Sequence, residues 1–563
     1  MTKDASRRNR PRKSVATWAR FLSPFFLLVL FFCLLAFAPQ TSGSQAVARV
    51  DGGSPATVGD EGSTTTVTTP PTTEAAPDGG SGGSTGEVTS STDTTLPTST
   101  TDTTVPDAGS SADTTVSVDV VVYATQTSGL AAVRELALGA PELRVALISC
   151  GNLLETPLVQ GLSVEDSRDI DGVTGGFYSE WRQTVQRYYA LMGQKAATGS
   201  GRFVYEPEVA STVLWSYVSG PTAPNVLFYS AKLLSASDKD GDRHVDVQQE
   251  GMGTVRLNTR YFIDASVEGD LARMLGADYR IGRNEQIYND VSGNKPAYPS
   301  AANNYVTAPQ RFSALLTLKV YSSGPAPRIA NLVYPSYDPS SYAGTVFAWK
   351  NVAGFGSSWS MKTAVLPNGK RELNETWSDW PDIGLAFQWV FEPDKRGDIR
   401  KRVLQWTINR ARYLQENGYA KVGIATIPQK LYIREGPRIL GDDTYTVSDV
   451  RGDVVRDSVA MGCYVEYDRH DDFRPNHIPT TRYVHVPMEA LVTKGHPYLL
   501  VSTAVSTDYA AYCSAVRMEP TRANLGAAAA MIIIGAEQQG VAPKDVPYDL
   551  VRSLLFNRGY RVE

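Results

Sequence analysis

Histidine and cysteine are scarce in this chain, with five and four residues among 563. Cys33 lies in an apolar run near the N-terminus, which leaves Cys150, Cys463 and Cys513, an odd number without close spacing. That excludes a disulfide framework and a zinc cluster, and leaves one disulfide open. His244, His470, His477, His485 and His496 show no metal-ligand spacing, so no metal site is expected from them. Outside residues 41–115 there is no G-x-S-x-G, and a hydrolase has no support. Positive charge is lacking as well. The chain carries a net −5, Met1 to Arg20 contributes +6, and the remainder therefore carries −11, which excludes nucleic acid as a partner.

Two glycines are also missing where they would matter most. Residues Val118 to Gly129, V-D-V-V-V-Y-A-T-Q-T-S-G, have the layout of a strand entering a dinucleotide-binding helix. In G-x-G-x-x-G the first glycine makes the tight turn, the second admits a pyrophosphate close to backbone, and the third packs helix on sheet. Here those places hold Ala124, Gln126 and Gly129. The apolar run Val118 to Val122, the helical stripe Leu130 to Leu138 and the run Arg144 to Ile148 predict a β-α-β unit. At the tip of the second strand, where an acid normally holds ribose hydroxyls, stands Ser149.

Met1 to Arg20 is basic and Phe21 to Ala38 almost purely apolar, which predicts an uncleaved membrane anchor with a cytoplasmic basic flank. Cleavage after Ala48 is the alternative. Residues 39–116, rich in Ser, Thr, Gly and Pro, lack the apolar content to offset the entropy of ordering and predict a disordered stalk.

The C-terminal half carries long motifs in series: I-P-Q-K-L-Y-I-R-E-G-P-R-I-L-G (Ile427 to Gly441), D-S-V-A-M-G (Asp457 to Gly462), V-P-M-E-A-L-V (Val486 to Val492) and A-V-R-M-E-P-T (Ala515 to Thr521). With I-D-A-S-V-E-G-D-L-A (Ile263 to Ala272) and G-A-D-Y-R-I-G-R (Gly276 to Arg283), they resemble in order and spacing the bacterial FAD-dependent oxidoreductases with a glutathione-reductase-type flavin fold. The resemblance runs from Val118 to the end. It implies FAD as cofactor, contacted near Ala124, Gln126, Gly129, Ser149, Asp264 and Arg517, with a small molecule as substrate. The departures fall on the adenosine and pyrophosphate side. Members show G-x-[GT]-P-A-G, a Glu at the second strand tip and H-L-G-G-M, where this chain has A-T-Q-T-S-G, Ser149 and L-L-E-T-P (Leu153 to Pro157). The histidine that often precedes R-M-E-P is replaced within S-T-D-Y-A-A-Y (Ser506 to Tyr512).

Other features have two readings. Asp238, Asp240, Asp242 and Asp246 match positions 1, 3, 5 and 9 of a calcium loop, but Arg243 and Gln249 hold positions 6 and 12, and the flanks favour a β-hairpin. Arg517 and Glu519 are expected as an internal ion pair ahead of a helix opened by Pro520, or as part of a ligand pocket. Arg434, Glu435 and Arg438 carry the same choice. Trp349, Trp359, Trp377, Trp380, Trp389 and Trp406 fill a core or stack on a flat ligand. Lys395 to Arg412 predicts an amphipathic helix.

The expected architecture is α/β: a doubly wound, Rossmann-like FAD-binding domain with an inserted α+β substrate or cap domain. The segments are a basic flank (1–20), anchor (21–38), stalk (39–116), FAD-type domain (117–285), cap region (286–425) and closing FAD-type part (426–563). The expected function is a membrane-anchored oxidoreductase facing out of the cytoplasm, single-pass in the cell membrane. A flavin-free pseudoenzyme serving as a surface binding or scaffold module is the alternative.

Overall fold

The computed structural model describes residues 113–151, 153–198, 201–239, 241–249, 251, 253–282, 309–329, 337–342, 365–374, 384–470 and 476–563, all within one compact unit, Val105–Glu563. The anchor at 21–38 and most of the expected stalk lie outside them. Among the described residues no helix is long and apolar enough to cross a membrane.

The valine-rich run forms strand β2 (Val120–Tyr123), preceded by β1 (Thr114–Ser117) and followed by helix α1 (Thr127–Gly139) and β3 (Val145–Ser149). The boundary expected at residue 116 is corrected by β1. T-T-V-S is β-branched enough to extend, and it pairs in parallel with Val255 to Asn258. Helices α2 (Gly176–Leu191) and α3 (Pro207–Val218) come next, and then a meander of β4 (Val226–Lys239), β5 (Asp242–Gln249) and β6 (Gly253–Asn258). β7 (Tyr261–Asp264) and the short α4 (Asp270–Met274) return the chain to the parallel strands.

The cap region contributes β8 (Leu316–Val320), β9 (Lys370–Leu373), α5 (Gly384–Phe391), α6 (Arg396–Glu416) and β10 (Val422–Thr426). The three strands form an antiparallel sheet in the order β9, β8, β10. α6 runs four residues beyond the expected Arg412 and lays Ile408, Ala411 and Leu414, spaced as one helical face, on Leu316, Leu318 and Val422. Trp349, Trp359, Trp377 and Trp380 lie outside the described residues. A two-stranded ribbon, β11 (Ser458–Arg469) and β12 (Asn476–Pro487), precedes β13 (Leu499–Val501), and α7 (Glu519–Gln539) and α8 (Tyr548–Asn557) close the chain.

The main sheet has the order β1, β6, β5, β4, β3, β2, β7, β13. Its five strands from β4 to β13 are parallel. Four of these, β2, β3, β7 and β13, are buried throughout and read as near-continuous apolar runs rather than alternating ones, whereas β4 is partly exposed. Val120 and Val122 face one core with Leu130 and Leu136 of α1, while Val121 and Tyr123 face the other with Phe262 and Leu499. α7 is buried from Glu519 to Ala536. Its small residues let it touch α1, since a Cβ on Gly526 would stand 1.9 Å from the Ser128 carbonyl oxygen. Because β2 is flanked by β3 on one side and β7 on the other, the winding reverses there. Ligands of such folds bind above the strand ends at that reversal.

Cys150, Cys463 and Cys513 are free thiols, so no disulfide joins them. The acidic D-K-D-G-D stretch is the turn between β4 and β5, with Lys239 opposite Asp242. The carboxylates of the candidate calcium loop already have partners: Asp238 with His496 (2.5 Å), Asp242 with His244 (2.9 Å) and Asp246 of β5 with Arg256 (2.7 Å). Asp240 lies outside the described residues.

Candidate functional site

The turn between β2 and α1 keeps a dinucleotide-binding course without its glycines. Ala124 takes φ +78°, a left-handed conformation that costs a residue with a Cβ about 1 kcal/mol or more. Gly129 is enforced by contact: a Cβ there would meet the Ala124 carbonyl oxygen at 2.2 Å and the Ala265 methyl at 3.0 Å. Gln126 caps α1 with extended backbone (φ −70°, ψ 167°), and its buried Oε1 has no hydrogen-bond partner among the described residues.

Thr125, between them, is a knot of bonds. Its hydroxyl donates to the Leu153 carbonyl (3.1 Å) and lies 3.2 Å from Ser149 Oγ, and the Glu155 N–H donates back to it (2.9 Å). The Glu155 and Thr156 N–H groups also donate to the Thr125 carbonyl. Ser149 Oγ donates to the Leu153 carbonyl at 2.8 Å, so that hydroxyl is turned into the loop. The Leu153 to Pro157 stretch, where the resemblance expects H-L-G-G-M, is thereby drawn onto the turn. It places Glu155 so that one carboxylate oxygen accepts from Thr125 N–H at 3.2 Å and the other from Lys430 Nζ at 2.8 Å. Lys430 also donates to the Cys150 carbonyl. Burial works against the Lys430 charge, but Glu155 together with Cys150 and Glu268 outweighs it, and its pKa lies above the ordinary lysine value.

Above this turn opens a cleft of about 990 Å³, lined by Gln126, Glu155, Glu268, Trp389, Arg396 and Lys430 among others. Its far wall is braced. Trp389 Nε1 donates to Glu268 (2.6 Å), and Arg396 forks onto Asp270 (2.5 and 2.9 Å) while lying over the Trp389 ring. Tyr123 forms part of the floor; burial, with Asp270 and Glu155 adding to it, raises its pKa and keeps the phenol protonated.

Of the residues singled out in the sequence, Ala124 and Gln126 line the cleft, Gly129 packs directly beneath, and Ser149 is turned inward. Asp264 and Arg517 do not line it. Asp264 is fully buried and accepts from Ser266 N–H, Ser266 Oγ and Ala272 N–H, tying the end of β7 to α4, and burial pushes its pKa up to about 6. Arg517 donates to the Asp468 carboxylate (2.8 Å) and carbonyl (3.1 Å). The pair expected between Arg517 and Glu519 is therefore corrected. Glu519 binds Arg522 (2.9 Å) and accepts from Thr127 of α1. Arg438 and Arg469 converge on Glu435, so R-E-G-P-R is part of a buried ionic network. Trp389 belongs to a core cluster with Phe312 and also borders the cleft. Among the described residues no group of three His, Cys, Asp or Glu side chains could hold a metal ion. Glu155 and Lys430 were missed in the sequence reading, although both lie in quoted stretches and Glu155 in the most divergent one.

A doubly wound parallel sheet with a cleft over the first strand's turn defines a Rossmann-type cofactor-binding protein. The family model described as FAD dependent oxidoreductase matches residues 119–555, and the chain belongs to that family. No curated protein matches it. Among solved structures, L-proline dehydrogenase from P. horikoshii is 18% identical, with 30% of this chain and 25% of that one covered (TM-score 0.18). The match thus spans about a quarter of that enzyme's length. The p-nitrophenol 4-monooxygenase PnpA from Pseudomonas putida DLL-E4 is 10% identical over 79% of this chain and 86% of that one (TM-score 0.36). A geranylgeranyl bacteriochlorophyll reductase-like protein from Thermoplasma acidophilum is 11% identical over 79% and 84% (TM-score 0.30). The family assignment rests on the match over residues 119–555.

The family's cofactor is FAD, and the residues fit it in outline. The left-handed turn, the contact that only glycine allows at residue 129 and the cleft over the strand ends suit a dinucleotide. The departures at the turn are Ala124 and Gln126 in place of two glycines, and a carboxylate, Glu155, that holds a backbone N–H there.

Proposed function

We propose that this chain is an FAD-dependent oxidoreductase acting on a small molecule, held outside the cytoplasm by the apolar segment 21–38 on the stalk that follows it. The observation that carries the catalytic reading is the cleft of about 990 Å³ above the Ala124 to Gln126 turn, at the point where the winding reverses. The anchor is supported by the seven basic residues before residue 21 and the apolar run after it.

In this reading the Ala124 to Ser128 turn holds the diphosphate and Lys430 balances its charge. Bound FAD supplies the electron transfer. The chain's own residues position and shield. Tyr123 offers a protonated hydroxyl at the floor, and the Trp389–Glu268 and Arg396–Asp270 pairs keep the opposite wall rigid and the cleft shaped. Ser149 gives no carboxylate for the ribose, a loss worth roughly 1.5–3 kcal/mol, so the cofactor is held reversibly rather than retained through purification. Adding FAD to the purified full-length chain should produce a bound-flavin absorption band that dialysis removes. A chain that takes up no flavin at any concentration fails this reading.

A second reading is favoured by the Glu155 carboxylate at Thr125 N–H. It is a flavin-free binding module at the cell surface that uses the same cleft for a ligand without phosphate.

A further inference from the structure

The backbone N–H of Thr125 belongs to the turn that a diphosphate must approach, and it is already given to an anion of the protein. Glu155 accepts from it with one oxygen, and its other oxygen is neutralised by Lys430. The pair is the arrangement that a phosphate would make here: a charge-assisted bond from a backbone N–H and a lysine as counter-charge. Glu155 and Lys430 both line the cleft, with side chains 11% and 22% exposed, so the carboxylate stands at the edge of the open space rather than deep in the core. The loop that carries it is fixed by Thr125 through four separate bonds, which sets the carboxylate at this height. Gln126, which follows Thr125, has a buried Oε1 without a partner among the described residues.

We propose that Glu155 is an internal stand-in for a phosphate and governs what the cleft accepts. A ligand bearing a diphosphate enters only by displacing the carboxylate, whereupon Lys430 passes from Glu155 to the phosphate. A phosphate-free ligand enters with the pair intact. The inference rests on the FAD reading for the identity of the diphosphate, but not for the displacement itself.

The test uses the full-length chain, with FAD followed by flavin fluorescence and ADP by the shift in melting temperature. Glu155→Gln keeps an acceptor for Thr125 N–H and removes only the charge. It should bind both FAD and ADP at least about tenfold tighter than the parent, with riboflavin unchanged. Adding Lys430→Gln to that variant should abolish the gain. Glu155→Ala, which opens the position, should gain as well. Unchanged ADP affinity in both Glu155 variants, or a riboflavin gain equal to that for FAD, overturns the proposal. The two readings separate cleanly. An ADP gain with no FAD binding in any variant keeps the displacement and removes the oxidoreductase, whereas reversible FAD binding indifferent to Glu155 does the reverse.

Discussion

The carbonyl oxygen of Ala124 lies 2.2 Å from where a Cβ on Gly129 would stand, so the turn and the first helix are in direct backbone contact. Gly129→Ala should therefore cost several kcal/mol, more than an ordinary overpacked side chain, because the opposing atom is backbone and cannot rotate away. Ala124→Gly should act in the other direction. It releases the left-handed strain and loses some unfolded-state advantage, for a net gain of up to about 1 kcal/mol. Urea unfolding of the two variants measures both.

Arg517 and Asp468 form a buried pair, and removing one partner leaves the other uncompensated. Arg517→Met should destabilise the protein by about 3–5 kcal/mol. In double-mutant cycles Arg517 should couple strongly to Asp468 and little to Glu519. Coupling of Arg517 to Glu519 instead would show that the assignment of partners is wrong.

Burial pushes the carboxyl of Glu165 up to about 7, against the opposing pull of Arg182 and Tyr178. The folded protein thus holds this proton more tightly than the unfolded chain does. The stabilising contribution is complete below the unfolded carboxyl pKa and is lost as pH rises towards 7. Between pH 5 and 8 stability should fall, with about 2–3 kcal/mol of the change due to this group. Glu165→Gln, which keeps an acceptor for the Tyr178 hydroxyl, should remove that share. A pH profile of unfolding unchanged by the substitution would count against the assignment.

Millimolar calcium should leave the melting temperature unchanged, because Asp238, Asp242 and Asp246 are paired with His496, His244 and Arg256. A rise abolished by Asp242→Asn would mean that the ion displaces these partners.

Protease added to intact cells should cut the stalk and release a folded fragment beginning near residue 113, since β1 pairs with β6 from Thr114 onward. Protection in intact cells together with cleavage in lysed ones would place the folded part on the other side of the membrane.

The sequence by itself determined the strand-turn-helix opening, the glycine at 129, the hairpin at Asp238 to Asp242 and the family. Each is a local matter. Val120 to Val122 and Val145 to Ile148 are apolar throughout because both faces of a parallel strand are buried, and that is visible in a handful of consecutive residues. Gly129 is set by contact with a residue five positions earlier. The site was less legible. Arg517 pairs with Asp468 rather than with Glu519 two residues on, because Glu519 belongs to a helix that directs it to Thr127 and Arg522. Glu155 meets Lys430 across 275 residues, and no local pattern records such a meeting. Which charge faces which is decided only when β-strands, loop and cap close on one another, since the energy of a partly buried carboxylate depends on what lies within a few ångströms of it in space, whatever the distance along the chain.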